Sequence, residues 1–131
     1  MPLGRFAQRS FLLFGCRVSL QSFGDRIRVT RNGRSAQTVG DPFAILRTLL
    51  REFQYPLPAE PTVPLCGAAA GYFGYDLRRF VETVPVGLPD DLGLPDLWLQ
   101  FCPVVVTFDH QGGKCWVGWT ESGEGHEARE A

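Results

Sequence analysis

The chain reads as an α+β protein, an antiparallel sheet with packed helices, on three observations. Residues 11 to 40 alternate apolar and polar side chains with period two, residues 42 to 54 repeat apolar side chains every three or four positions, and residues 97 to 119 hold branched and aromatic runs around a glycine turn. At 131 residues with 44% hydrophobic side chains there is material for one core. A folded chain of this size buries roughly two-thirds of its extended surface. Thirteen basic and fourteen acidic residues leave a formal charge of -1, with no basic block. That balance argues against attraction to nucleic acid or to an anionic membrane. No apolar run approaches the roughly 20 residues that span a bilayer, and the first residues lack the order of a signal peptide, so a cytoplasmic location is expected.

The first strand signals are the run Phe11 to Phe14 and the alternation of Cys16, Val18 and Leu20 with Arg17, Ser19 and Gln21. A turn at Gly24-Asp25 leads to Ile27 and Val29 between Arg26, Arg28 and Thr30, and Asn32-Gly33 offers the backbone a tight hairpin turn needs. Two antiparallel hairpins are expected. Arg26, Arg28, Arg31 and Arg34 lack interleaved exposed aromatics and read as a solvated sheet face, not a phosphate-binding one.

Asp41 is placed to cap the free amides of a helix that opens on Pro42, where the missing N–H costs nothing. Phe43, Leu46, Leu49, Leu50 and Phe53 then form one apolar face across residues 42 to 54, which must cover a sheet. Pro56, Pro58, Pro61 and Pro64 turn the next ten residues into an ordered loop.

Leu65 to Tyr72 carries mostly small side chains, as a central strand pressed by a neighbouring layer would. Gly67, Gly71 and Gly74 do not match a nucleotide-binding fingerprint. Asp76 is expected to cap a short helix that packs through Leu77, Phe80 and Val81 and ends before Pro85 and Pro89. Asp90, Asp91 and Asp96 are too few and too irregular for a calcium loop and read as solvated turns and caps. The stretch from Leu97 to Phe108, the turn His110-Gln111-Gly112-Gly113 and the strand Cys115 to Trp119 read as one hairpin, with Pro103 marking an edge or bulge. The polar, alanine-containing tail from Glu121 reads as the start of a helix.

Cys16, Cys66, Cys102 and Cys115 are dispersed beside apolar residues, with no CxxC pair, and read as buried thiols. His110 and His126 lack the close ligand spacing of a zinc site. The carboxylates Asp76, Glu82, Asp91 and Asp96 have no evident pairing, and neither histidine stands in a nucleophile arrangement. No catalytic and no metal-binding residue is therefore assigned. Tyr72, Tyr75 and Trp98 are the weak binding candidates, since aromatics combine apolar area with polar edges. From the residues alone a structural or regulatory domain ranks first, a small-ligand module second and an independent enzyme third.

The string from Cys66 through Gly71-Tyr72-Phe73-Gly74-Tyr75-Asp76 to Glu82, then Pro85 and Asp90-Asp91-Leu92-Gly93-Leu94-Pro95-Asp96, resembles the N-terminal region of the anthranilate synthase component I and aminodeoxychorismate synthase component I family. Asp41-Pro42-Phe43, Phe108-Asp109-His110 and Gly113-Lys114 extend the resemblance across roughly residues 10 to 125, in wording nearer the aminodeoxychorismate (para-aminobenzoate) branch.

The resemblance implies a larger protein in which residues 1 to 125 form part of the N-terminal domain and residues 126 to 131 begin a linker or helix toward a C-terminal chorismate-binding domain. It implies magnesium and the catalytic carboxylates in that domain, with no cofactor held by this chain, and a glutamine amidotransferase partner for the whole protein. Phe11-Leu12-Leu13-Phe14 lacks the glutamate and serine of the family's early Leu-Leu-Glu-Ser effector motif, so tryptophan feedback is not expected and truncation at both ends is. The expected role is a scaffold for folate synthesis. The alternatives are the tryptophan-forming branch and a stand-alone aromatic-metabolite module.

Overall fold

A computed structural model describes residues 8–54, 65–83, 85, 90, 92–120 and 126–130. Nine strands and one α-helix occur among them, β1 (Arg9–Phe14), β2 (Val18–Phe23), β3 (Arg26–Arg31), β4 (Arg34–Val39), α1 (Pro42–Glu52), β5 (Ala68–Phe73), β6 (Leu97–Cys102), β7 (Val104–Asp109), β8 (Lys114–Thr120) and β9 (His126–Glu130). A 3₁₀ turn covers Tyr75–Phe80. The chain divides into two compact units, one made of Met1–Cys16, Tyr55–Ala69 and Phe101–Ala131, the other of Arg17–Gln54 and Ala70–Gln100. No helix among the described residues is long and apolar enough to cross a membrane.

The first unit carries a four-stranded sheet in the order β1-β7-β8-β9, antiparallel throughout. β7 and β8 form the expected hairpin, with Asp109 opposite Lys114 at the turn. The apolar run of β1 named no partner in the sequence, and the structure supplies one. Phe14 pairs with Val104 and Arg9 with Asp109, so β1 joins a strand some ninety residues away. The tail is likewise a strand where a helix was expected, with Thr120 opposite His126. Pairing along β8 gives that short polar segment hydrogen bonds that a helix of five residues could not supply cooperatively.

The second unit holds a five-stranded sheet in the order β4-β3-β2-β6-β5, in which β5 and β6 also reach into residues of the first unit. β2, β3 and β4 make an antiparallel meander through the two expected turns. Asn32 at φ 48 and Gly33 at φ 79 take the left-handed conformations that a two-residue hairpin turn requires. Val18, Leu20 and Ser22 of β2 are buried at every second position, with Ile27 of β3 beside them. All four expected surface arginines are exposed.

α1 starts where its sequence says it should. The Asp41 carboxylate accepts the Phe43 amide at 2.9 Å, and Pro42 occupies the first turn. The helix ends at Glu52, two residues early, and its buried face is narrower than expected. Leu46 and Leu49 are buried, whereas Leu50 is 49% exposed. Ile45 and Leu49 share a groove with Val29 and Ala36, and Arg31 bonds both carboxylate oxygens of Glu52.

Three further readings change. β5 is an edge strand, not a central one, and its small side chains answer to a neighbouring backbone. A Cβ on Gly71 would lie 1.8 Å from the Trp98 carbonyl oxygen. Asp76 does not cap the 3₁₀ turn. Gly74 takes the cap position without a side-chain bond, Leu77 alone is buried, and Val81 is 72% exposed. Pro103, finally, divides the apolar run of residues 97 to 108 between two sheets, because β6 lies in one and β7 in the other. The proline-rich loop of residues 55 to 64, Asp91 and Pro89 lie outside the described residues.

Candidate functional site

The largest described cleft in the second unit lies beside the β2–β3 turn. It is open, about 810 Å³, and Arg26, Arg78, Arg79, Asp76, Asp90 and Asp96 give it its charge. Asp96 organises it. Its Oδ2 accepts the Gly24 amide at 2.6 Å and an Arg79 guanidinium nitrogen at 3.4 Å, while Arg79 Nε donates to the Asp76 carbonyl at 2.9 Å. The Asp96 backbone is fixed as well, since its amide donates to Ser22 and its carbonyl accepts from Gly74. A Cβ on Gly74 would approach that same carbonyl oxygen to 2.9 Å, so the chain can pass only as glycine.

Local chemistry explains each wall. Gly24, at φ 61, turns its amide toward the carboxylate, and the 3₁₀ turn sets Arg78 and Arg79 at its C-terminal end, where cations meet the negative end of the helical peptides. Asp90 folds the opposite rim by accepting the Leu92 and Gly93 amides. The cleft thus presents guanidinium donors and carboxylate acceptors. No Ser, Thr, Cys, His or Lys occurs among the described residues that line it. It can hold a polar or charged group by hydrogen bonds.

The aromatic candidates divide. Tyr72 and Trp98 meet edge to face at 6.1 Å between ring centres, each a little over a third exposed. Tyr75 is 79% exposed and instead stacks under the Arg78 guanidinium at 4.6 Å. The charged cleft is lined by none of the three. Asp96, read as a solvated turn residue, proves to be the clamp, and nothing in its local sequence signals a partner 72 residues away.

Asp109 in the first unit works locally. It accepts the amides of Gln111 and Gly112, and these two bonds, Gly112 first, hold its carboxyl below the ordinary aspartate range. Cys102 is buried and Cys66 and Cys115 are half-buried, whereas Cys16 is exposed and corrects the expectation of four buried thiols. No three His, Cys, Asp or Glu side chains among the described residues gather into a metal site.

No family model matches the chain. Anthranilate synthase component 1 of Pseudomonas aeruginosa is 32% identical over 117 residues, 84% of this chain and 23% of the relative. Aminodeoxychorismate synthase component 1 of Salmonella typhimurium is 35% identical over 74 residues, 56% of this chain and 16% of the relative. The crystal structure of anthranilate synthase component I from Streptococcus pneumoniae shares the fold, with a TM-score of 0.61 at 24% identity over 83% of this chain and 23% of that one. The chain spans about a quarter or less of the relatives it matches. It is a homologue of the component 1 family of anthranilate and aminodeoxychorismate synthases, and relatives from both branches stand beside it.

Proposed function

We propose that the chain is the N-terminal scaffold portion of an aminodeoxychorismate synthase component I and performs no reaction alone. The observation that supports the scaffold part of this reading is homology over 84% of the chain to only 23% of an anthranilate synthase component 1, and the wording of residues 66–96 supports the aminodeoxychorismate branch. The charged cleft agrees with it, because Asp96, Asp90 and Arg79 are engaged in internal hydrogen bonds that brace the surrounding loops. In the whole protein, ammonia from a glutamine amidotransferase replaces the C4 hydroxyl of chorismate to give 4-amino-4-deoxychorismate, for para-aminobenzoate and folate synthesis. Magnesium and the catalytic groups belong to a C-terminal chorismate-binding domain. Among the described residues no three His, Cys, Asp or Glu side chains gather that could hold the metal.

A second reading places the scaffold in an anthranilate synthase, which aminates chorismate at C2 and eliminates pyruvate. It is favoured by the longer match, 84% of this chain against 56% and 71% for two aminodeoxychorismate relatives.

The test is turnover of chorismate by the purified 131-residue chain with ammonia and magnesium, followed by chromatography and mass spectrometry. No product above the uncatalysed rate is expected, and chain-dependent product overturns the scaffold reading. The same assay on the chain joined to its C-terminal domain separates the branches, since 4-amino-4-deoxychorismate supports the first and anthranilate with pyruvate the second. Saturable quenching of Trp98 fluorescence by an aromatic metabolite, with the isolated chain, would replace both with a binding module.

A further inference from the structure

The register of β1 against β7 makes residues opposed from Arg9 and Asp109 to Phe14 and Val104. Two residues beyond Phe14 stands Cys16, and two before Val104 stands Cys102. Continuing the register therefore sets the two cysteines against each other. The intervening pair keeps the strands together, because a Cβ on Gly15 would lie 3.6 Å from the Pro103 ring. The Cys16 sulfur is near enough to help raise the Cys102 thiol pKa. Residues directly opposed in an antiparallel pair stand roughly 4.5–5.5 Å apart at Cα, and a disulfide spans that separation without moving the backbone.

We propose that Cys16 and Cys102 are a redox site that closes to a disulfide when a peroxide oxidises the chain. The two sulfurs divide the work by exposure. Cys16 is open to solvent, whereas Cys102 is 8% exposed and its thiol is pushed above the ordinary range by burial first and by the Cys16 sulfur next. Cys16 is thus the thiol a peroxide reaches, and Cys102 resolves the product.

In the first step the Cys16 thiolate attacks one peroxide oxygen. An S–O bond forms, the O–O bond breaks, and the departing hydroxide takes up a proton as water. In the second step the Cys102 sulfur attacks the Cys16 sulfenic sulfur. The S–S bond forms, the S–O bond breaks, and hydroxide leaves with the Cys102 proton as a second water. Two thiols and one hydrogen peroxide become one disulfide and two waters, the sulfur pair losing the two electrons that the peroxide gains. A dithiol reductant reverses the result.

The bridge closes a loop that contains the whole of the second unit, residues Arg17–Gln54 and Ala70–Gln100. Cross-linking across so long a loop restricts the unfolded chain and raises the melting temperature.

Peptide mapping reads the site directly, because trypsin leaves each cysteine in its own fragment, Cys16 in residues 10–17, Cys66 in 52–78, Cys102 in 80–114 and Cys115 in 115–129. The reduced full chain is treated with an equivalent of hydrogen peroxide, alkylated, digested and analysed by mass spectrometry. The expected result is one linked species joining fragments 10–17 and 80–114, cleaved by dithiothreitol, and a melting temperature raised by about 5 °C or more. The C66S/C115S variant keeps both results and C16S loses both. Linkage through Cys66 or Cys115 overturns the proposal, as does oxidation of Cys16 to sulfenic or sulfinic acid without linkage, or an unmodified chain after glutathione in the same tube is oxidised.

Discussion

Two aspartates show how differently the two units hold their loops. Asp96 accepts an amide 72 residues away and a guanidinium 17 residues away, so it ties together parts of the second unit that the sequence separates. The Asp109 carboxylate in the first unit accepts from Gln111 and Gly112, the second and third residues after it. The same carboxylate acts as a long-range staple in one place and as a turn former in the other. What differs is whether strand pairing has already brought a distant donor within reach.

If long-range closure carries the second unit, damage to its distant contacts should exceed damage to the local turn of the first unit. The largest effect is expected from Gly71→Ala. Its Cβ cannot coexist with the Trp98 carbonyl oxygen, so β5 must leave β6, at a cost of about 3 kcal/mol or more in urea denaturation. Wild-type stability in this variant would break the backbone-approach account of β5.

Asp96→Ala comes next, at about 1–3 kcal/mol, because the inward-turned Gly24 amide loses its acceptor. Asp96→Asn keeps an oxygen there and should cost less. Equal losses for the two would place the effect in charge and not in the hydrogen bond.

Glu52→Gln bridges 21 residues at the surface and should cost less than about 1 kcal/mol, since both partners are 44% exposed and solvent screens them. Its hydrogen bond to Arg31 lowers the Glu52 pKa in the folded chain. The stabilisation is therefore present above the ordinary glutamate pKa and disappears as pH falls through the depressed folded value. Stability curves of wild type and Glu52→Gln should converge in acid and in high salt. Curves that stay apart in both would remove the ion pair as the cause.

The smallest effect is expected from Asp109→Ala, which should leave the melting temperature in place and speed hydrogen exchange at Gln111 and Gly112 alone. In the wild type that protection should fade only as pH falls through the depressed Asp109 value. A global loss of stability would make this turn as far-reaching as Asp96 and erase the contrast.

The same distinction governs what could be read from the sequence. Asp41-Pro42, Asn32-Gly33 and the turn after Asp109 were legible because donor, acceptor and permissive backbone lie within a few residues. The partner of β1 was not, since an apolar run carries no mark of which strand it will meet. Pro103 was legible as an interruption, but its meaning as the passage from one sheet to another depends on two pairings elsewhere in the chain. Small residues near Gly71 announced close approach, and only the folded backbone shows that the approaching group is the Trp98 carbonyl of β6. The sequence set Tyr72, Tyr75 and Trp98 together, whereas in the fold Tyr72 meets Trp98, Tyr75 meets Arg78, and none of the three lines the charged cleft. The role of Asp96 left no local trace.

The pairing of β1 with β7 also orders events during synthesis. Arg9 emerges a hundred residues before Asp109, which at typical elongation rates is roughly 5–20 s. The β2–β3–β4 meander has all its partners within residues 18–39 and can form early, while Phe11, Leu12, Leu13 and Phe14 wait without their strand. During that interval the nascent chain presents an apolar edge, the kind of segment to which other chains add strands. β1 is thus made about a hundred residues before the strand on which its pairing depends.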